Sequence, residues 1–126
     1  MPQRIDIDHV RRWVDGYLAA WASNDPDDIK ALFTPDGTYL DRPFGSPKTG
    51  HEAIVADWLD RKDEPGTWQA SLEPLLVQGN TAIVTGTVDY TNGTRYANLW
   101  VIRFGDDSRA AEFTEWWMDR PAEPAS

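Results

Sequence analysis

Cysteine is absent from these 126 residues. That excludes disulfides, thiolate metal sites and a cysteine nucleophile, and it fits a reducing compartment such as the cytoplasm. Histidine occurs only at His9 and His51, far apart in the chain, so no histidine metal site is expected. No apolar run approaches the length that spans a bilayer. The opening stretch MPQRIDIDHV lacks the apolar segment of a secretory signal. Basic residues are outnumbered, 12 against 21 acidic, which leaves a net charge of −9. Such a surface repels phosphate, so neither nucleic acid nor an anionic membrane is an expected partner. No phosphate loop, serine elbow or dinucleotide fingerprint occurs, and the reading calls for no cofactor.

Against these absences stands an excess of tryptophan. Seven indoles in so short a chain need a core, a cavity or an interface, each with a partner for its N–H. Hydrophobic residues make up 40% and charged residues 26%, the balance of a globular domain. Residues 1–120 read as one domain and 121–126 as a loose tail.

Helical spacing runs through residues 6–23, with Val10, Trp13, Val14, Tyr17, Leu18 and Trp21 on one side. Asp25 and Pro26 then open a short second helix. Thr34-Pro35-Asp36-Gly37 reads as a turn, Thr38–Asp41 as a short strand and residues 42–49 as a loop. Residues 50–61 read as a third helix. From residue 67 the period becomes two. Strands are expected at Trp68–Gln78, Thr81–Tyr90, Arg95–Phe104 and Arg109–Asp119, joined by tight turns and therefore antiparallel. Helices first and strands after imply an α+β domain, its helices packed on one face of a curved, mostly antiparallel sheet that encloses a pocket.

Alternation assigns the faces. Val84, Val88, Asn98, Trp100, Phe113, Glu115 and Trp117 fall on the inner face; Asp89 falls on the outer one. A carboxylate at Glu115, between Phe113 and Trp117, needs a hydrogen-bonding partner there, unless a shift of register places it in solvent. The opposite face stays apolar at Leu99, Val101, Trp116 and Met118. Either a second copy of the chain or the tail is expected to cover it.

The order of elements resembles the nuclear-transport-factor-2-like superfamily of cone-shaped α+β barrels, which includes the SnoaL-like polyketide cyclases. The stretch Tyr17-Leu-Ala-Ala-Trp…Asp25…Ile29…Ala31-Leu32-Phe33…Asp36…Thr38…Asp41…Pro43…Gly45-Ser46…Gly50 resembles the N-terminal part of bacterial ketosteroid isomerase. That resemblance implies an oxyanion-stabilising role for Tyr17 and a general-base role for Asp41. Trp100 falls on the position of the family's second oxyanion donor. Tyr39-Leu40-Asp41-Arg42-Pro43 also resembles the Tyr-x-Asn-x-Pro of limonene-epoxide hydrolase, where the Tyr holds the attacking water. Glu115 then falls on the aspartate that activates this water. Asp89 falls on the aspartate of the family's Arg-x-Asp, with Thr87 in place of the arginine.

Asp41, Tyr17, Glu115 and Tyr39 are thus the candidate catalytic residues. Phe44, Trp58, Trp68, Val88, Asn98, Trp100, Phe113 and Trp117 are the candidate wall of a pocket for a small, largely apolar, oxygen-bearing molecule. His51 is expected to be exposed. Three readings remain open: a cofactor-free isomerase, cyclase or epoxide-hydrolase-like enzyme; a carrier or sensor using the same pocket; and an interaction module built on the outer sheet face, with no cavity.

Overall fold

A computed structural model describes residues 5–40, 45–105 and 107–120. Helix α1 (Ile7–Ser23) starts where the Asp6 side chain accepts from the His9 N–H, and ends where Asn24 turns left-handed at φ 52°. Helix α2 (Pro26–Lys30) is capped by Asp25, whose side chain accepts from the Asp27 N–H. Helix α3 (His51–Asp60) follows β1 (Phe33–Leu40) and the two-residue β2 (Lys48–Thr49). Strands β3 (Trp68–Gln78), β4 (Thr81–Tyr90), β5 (Arg95–Phe104) and β6 (Ala110–Asp119) complete the chain.

The six strands form one sheet in the order β2-β1-β6-β5-β4-β3. β1 runs parallel to β6, and the other neighbours are antiparallel. The sheet does not close on itself, since β2 and β3 are its two edges. This is the expected α+β arrangement with two local corrections. The stretch Thr34–Gly37 lies inside β1 rather than in a turn, at the place where the pairing with β6 shifts register between Phe33 and Thr38. Such an irregularity accommodates a proline within a strand. The expected loop 42–49 contains β2, paired to β1 through Thr38 and Tyr39.

The core gathers between α1 and the inner face of the sheet. Trp13 sits at its centre, with Phe33, Trp100, Phe104 and Phe113 at ring-centroid distances of 5.9–6.1 Å. Its N–H donates to the Leu32 carbonyl at 2.9 Å, so the buried indole is satisfied. Gly86 marks the tightest approach in the sheet. A Cβ there would come within 2.0 Å of the Ser71 carbonyl oxygen, so only glycine fits. Gly86 pairs across to Asn98, which therefore has no side chain beside it from β4 on the inner face.

Candidate active site

Three rows of cross-strand partners build the floor of a cavity. Val84, Trp100 and Glu115 form one row, Gly86, Asn98 and Trp117 the next, and Val88 pairs with Tyr96 beyond. Helices α1 and α3 supply the opposing wall through Tyr17, Trp21, Ile54 and Trp58. The space enclosed is about 270 Å³, at the small end for ligand pockets. Its mouth is open. Exposed Arg61, Lys62 and Trp117 lie on the lining, so the pocket is a cleft rather than a sealed chamber.

Glu115 lies on the inner face, as the alternation of β6 requires. Its Oε2 accepts from the Trp100 indole N–H at 2.9 Å and from the Asn98 amide at 2.8 Å. Both donors come from β5, so strand register alone delivers them. Tyr17, from α1, and Tyr39, from β1, place their hydroxyls 3.3 Å apart. Tyr17 rests on Trp100, with ring centroids 4.4 Å apart, and stacks on Phe113 at 5.6 Å. Burial first, then the neighbouring Tyr39 hydroxyl and the Glu115 carboxylate, push the Tyr17 phenol well above its ordinary 10.0. At neutral pH it is a hydroxyl, able to donate a hydrogen bond without losing its proton. A carboxylate and a phenol pair facing one aromatic cavity are the parts that proton transfer between ligand atoms needs.

A second carboxylate completes the wall near the mouth. Asp63, in the connection from α3 to β3, accepts at Oδ2 from Trp21 Nε1 and from the Tyr90 hydroxyl, each at 3.0 Å. The Asn24 amide donates to the Asp63 carbonyl at 3.1 Å, and Trp58 donates to Asn24 Oδ1 at 3.3 Å. Burial and then the Asp63 charge push the Tyr90 phenol upward as well.

Of the residues singled out by sequence, Tyr17, Tyr39, Glu115, Trp58, Val88, Asn98, Trp100 and Trp117 line this one cavity. Asp41 and Phe44 lie outside the described residues. Trp68 and Phe113 stand behind the lining. Trp68 stacks on Trp21 with centroids 3.8 Å apart, and Phe113 is fully buried under Tyr39. Asp89 points outward and pairs with Arg95 and Arg120. His51, expected to be exposed, is half-buried because its ring bonds to the Phe33 carbonyl at 2.8 Å. Sequence reasoning passed over Asp63, which reads as part of a helix-ending Asp-Glu-Pro-Gly. Tyr90 and Tyr96 were not among the residues singled out either. The face of β4 and β5 that they share with Val88 and Asn98 was the available signal.

Among the described residues, no three His, Asp or Glu side chains gather as a metal site, and no helix is long and apolar enough to cross a membrane. Solved structures with the same fold include a nuclear-transport-factor-2-like protein of unknown function from Burkholderia xenovorans, with a TM-score of 0.73, 19% identity, and coverage of 93% of this chain and 88% of that one. A protein from Kribbella flavida, provisionally named a ketosteroid isomerase, has a TM-score of 0.69 at 19% identity, with coverage of 96% and 86%. A provisionally named polyketide cyclase from Sinorhizobium meliloti has a TM-score of 0.64 at 26% identity, with coverage of 83% and 94%. No curated protein matches the chain. The description of the SnoaL-like domain family matches residues 10–117, nearly the whole of the fold, and the chain belongs to that family.

Proposed function

We propose that this protein binds a small, largely apolar molecule in the cavity and moves a proton on it without a cofactor, as an isomerase, cyclase or hydrolase. One observation carries the reading: a carboxylate, Glu115, is held by two N–H donors in a pocket that Tyr17 and Tyr39, their hydroxyls in contact, also line. Glu115 is half-buried, and a carboxylate held by two donors beside an aromatic cavity is poised for acid–base work. Glu115 is a second acid–base group beside Asp41. Tyr17 and Tyr39 hold a developing oxyanion or an attacking water. Asp41 takes the general-base role that its resemblance implies. A carrier uses the same pocket with these groups as plain hydrogen-bonding partners. A pure interaction module is disfavoured, because its own side chains would fill the cavity.

Binding and turnover separate the enzyme from the carrier. Trp21, Trp58, Trp100 and Trp117 line the cavity, so a ligand quenches tryptophan fluorescence. Titration with small ketones, epoxides and phenols is expected to give saturable quenching. Turnover of a bound compound, lost in Asp41→Asn, supports the enzyme. Binding without turnover, unchanged in Asp41→Asn, supports the carrier.

The outer sheet face calls for a second copy. Register sets Leu99 beside Trp116, Ala97 beside Met118 and Ile83 beside Val101, one contiguous apolar patch. Trp116 is 42% and Met118 68% exposed in the single chain. A homodimer through this face leaves both pockets free. Sedimentation should show a dimer that Trp116→Lys converts to monomer. A wild-type monomer at high concentration rejects the idea. The cytoplasm remains the proposed compartment.

A further inference from the structure

Two runs of aromatic rings meet at one carboxylate near the mouth of the cleft. Trp117, Tyr96 and Tyr90 follow one another at centroid distances of 5.4 and 5.9 Å. Trp58, Tyr17 and Trp21 do the same on the helix side, at 5.1 and 6.2 Å. The two runs close on Asp63, whose Oδ2 accepts from the Tyr90 hydroxyl and from the Trp21 indole. All six rings and Asp63 line the same cleft. Both donors are neutral, so they hold the carboxylate without cancelling its charge. Among the described residues no cation is paired with Asp63. Its Oδ1 accepts from none of them and is not shut away from solvent. The negative field reaches across the opening. Burial first, then the Asp63 charge, with Tyr96 and Glu115 adding less, push the Tyr90 phenol above its ordinary 10.0. The cations of the lining do not offset this field. Arg61 is held by Asp57 at 2.6 Å, and Lys62 is exposed, where water and salt screen it. Aromatic rings around an uncancelled carboxylate suit an organic cation: the ring faces attract it, and the carboxylate supplies the counter-charge.

Resting on the pocket reading above, we infer that the ligand is a small organic cation, a quaternary ammonium or protonated tertiary amine with a hydrocarbon body, whose charged group sits in the aromatic collar at Asp63. Oδ2 of Asp63 ties the mouth together, and Oδ1 is left for the ammonium. The hydrocarbon body lies inward, toward Trp100 and Glu115, where the acid–base groups act on it. The net charge of −9 draws such a ligand toward the protein.

Two ligands of one shape test this. Phenyltrimethylammonium and tert-butylbenzene differ in a single atom, a cationic nitrogen against a neutral carbon, and benzenesulfonate serves as an anion of similar size. Each is titrated into the full chain and followed by the indole N–H signals in proton–nitrogen correlation spectra, which report Trp21 beside Asp63 and Trp100 beside Glu115. The cation is expected to bind at least about tenfold tighter than tert-butylbenzene in about 20 mM salt, with the margin shrinking at about 0.5 M. Asp63→Asn keeps a side-chain oxygen for Trp21 and Tyr90 and removes the charge. The ratio of the cation's affinity to the hydrocarbon's should fall at least about fivefold there, whereas a mouth that merely loosens moves both affinities together. An unchanged ratio overturns the assignment to Asp63. Equal binding of cation and hydrocarbon by the wild type overturns the inference and leaves the pocket reading intact. Tightest binding of benzenesulfonate does the same, and gives the mouth to Lys62 and Arg61. Failure of all three to bind counts against the inference and the pocket reading together. The wild-type comparison decides even where Asp63→Asn does not fold.

Discussion

Glu115 and Asp63 face the same cavity and are held by the same chemistry, yet they belong to different parts of the fold. In each, one carboxylate oxygen accepts two neutral donors, one of them an indole. The donors to Glu115 both sit on the adjacent strand, so β5–β6 pairing supplies them wherever that register forms. The donors to Asp63 come from α1 and β4, elements that do not neighbour the segment carrying it. Asp63 therefore ties three pieces of chain together, while Glu115 ties nothing that the sheet had not already joined. On the proposed reading, similar local chemistry serves proton transfer at one carboxylate and holds the pocket's mouth together at the other.

The largest expected effect comes from Glu115→Gln. The amide keeps the shape of the side chain but cannot take a proton. Turnover should fall by at least about a hundredfold, the range for losing a general acid–base group. Stability should change by less than about 1 kcal/mol, because the carboxamide oxygen still accepts from Trp100 and Asn98. Steady-state kinetics and urea denaturation read the two numbers. A large stability loss with unchanged turnover would place Glu115 with Asp63, as a structural tie.

Asp63→Ala should behave the other way. It strips the partner from the Trp21 indole and the Tyr90 hydroxyl together. The cost is about 2 kcal/mol, moderated because both groups are only half-buried and water can reach them. Urea denaturation should show that loss. The kcat of a bound ligand should move much less than in Glu115→Gln, with KM rising as the mouth loosens. A kcat collapse without loss of stability would make Asp63 a second proton-transfer group.

This contrast also explains how far the sequence could be read. Glu115 was visible because it lies in a long strand. Phe113, Glu115 and Trp117 alternate, and a period of two has no freedom once one residue is placed inward. The same logic located Asn98, Trp100 and Val88. Tyr39 came instead from the resemblance of Tyr39–Pro43 to an epoxide-hydrolase motif, and the start of its strand was misread, because Pro35 and Gly37 carry turn chemistry that β1 absorbs at a register shift. Asp63 was invisible for the opposite reason. Its place depends on contacts from residues 42 and 27 positions away, and no local period records them. Trp68 was read as wall for a related reason. Strand alternation does place it inward, but Trp21 from α1 lies over it, and only packing could show which of two indoles meets the cavity.

The smallest effect lies in the alkaline titration of the two perturbed phenols, and it sharpens the comparison most directly. Tyr17 stands near Glu115 and Tyr90 bonds to Asp63, and both are pushed above the ordinary 10.0. Burial is the first cause for each, and the carboxylate contributes after it. A raised phenol pKa means that the folded state holds its proton where the unfolded chain has begun to lose it. The stability tied to that proton is fully present below the unfolded value and is lost as pH rises above it toward the folded value. Phenolate absorbance should therefore show Tyr17 and Tyr90 silent through the range where exposed tyrosines ionise, with urea midpoints declining over the same alkaline window. In Asp63→Ala, Tyr90 loses both its hydrogen bond and its nearest negative charge, so it should titrate closer to 10.0, while Tyr17 stays where it was. In Glu115→Gln the Tyr17 shift should persist almost unchanged, because burial and then Tyr39 precede Glu115 among its causes. If Tyr17 instead drops toward its ordinary value, Glu115 governs the phenol wall directly and the two carboxylates are more alike than their places in the fold suggest.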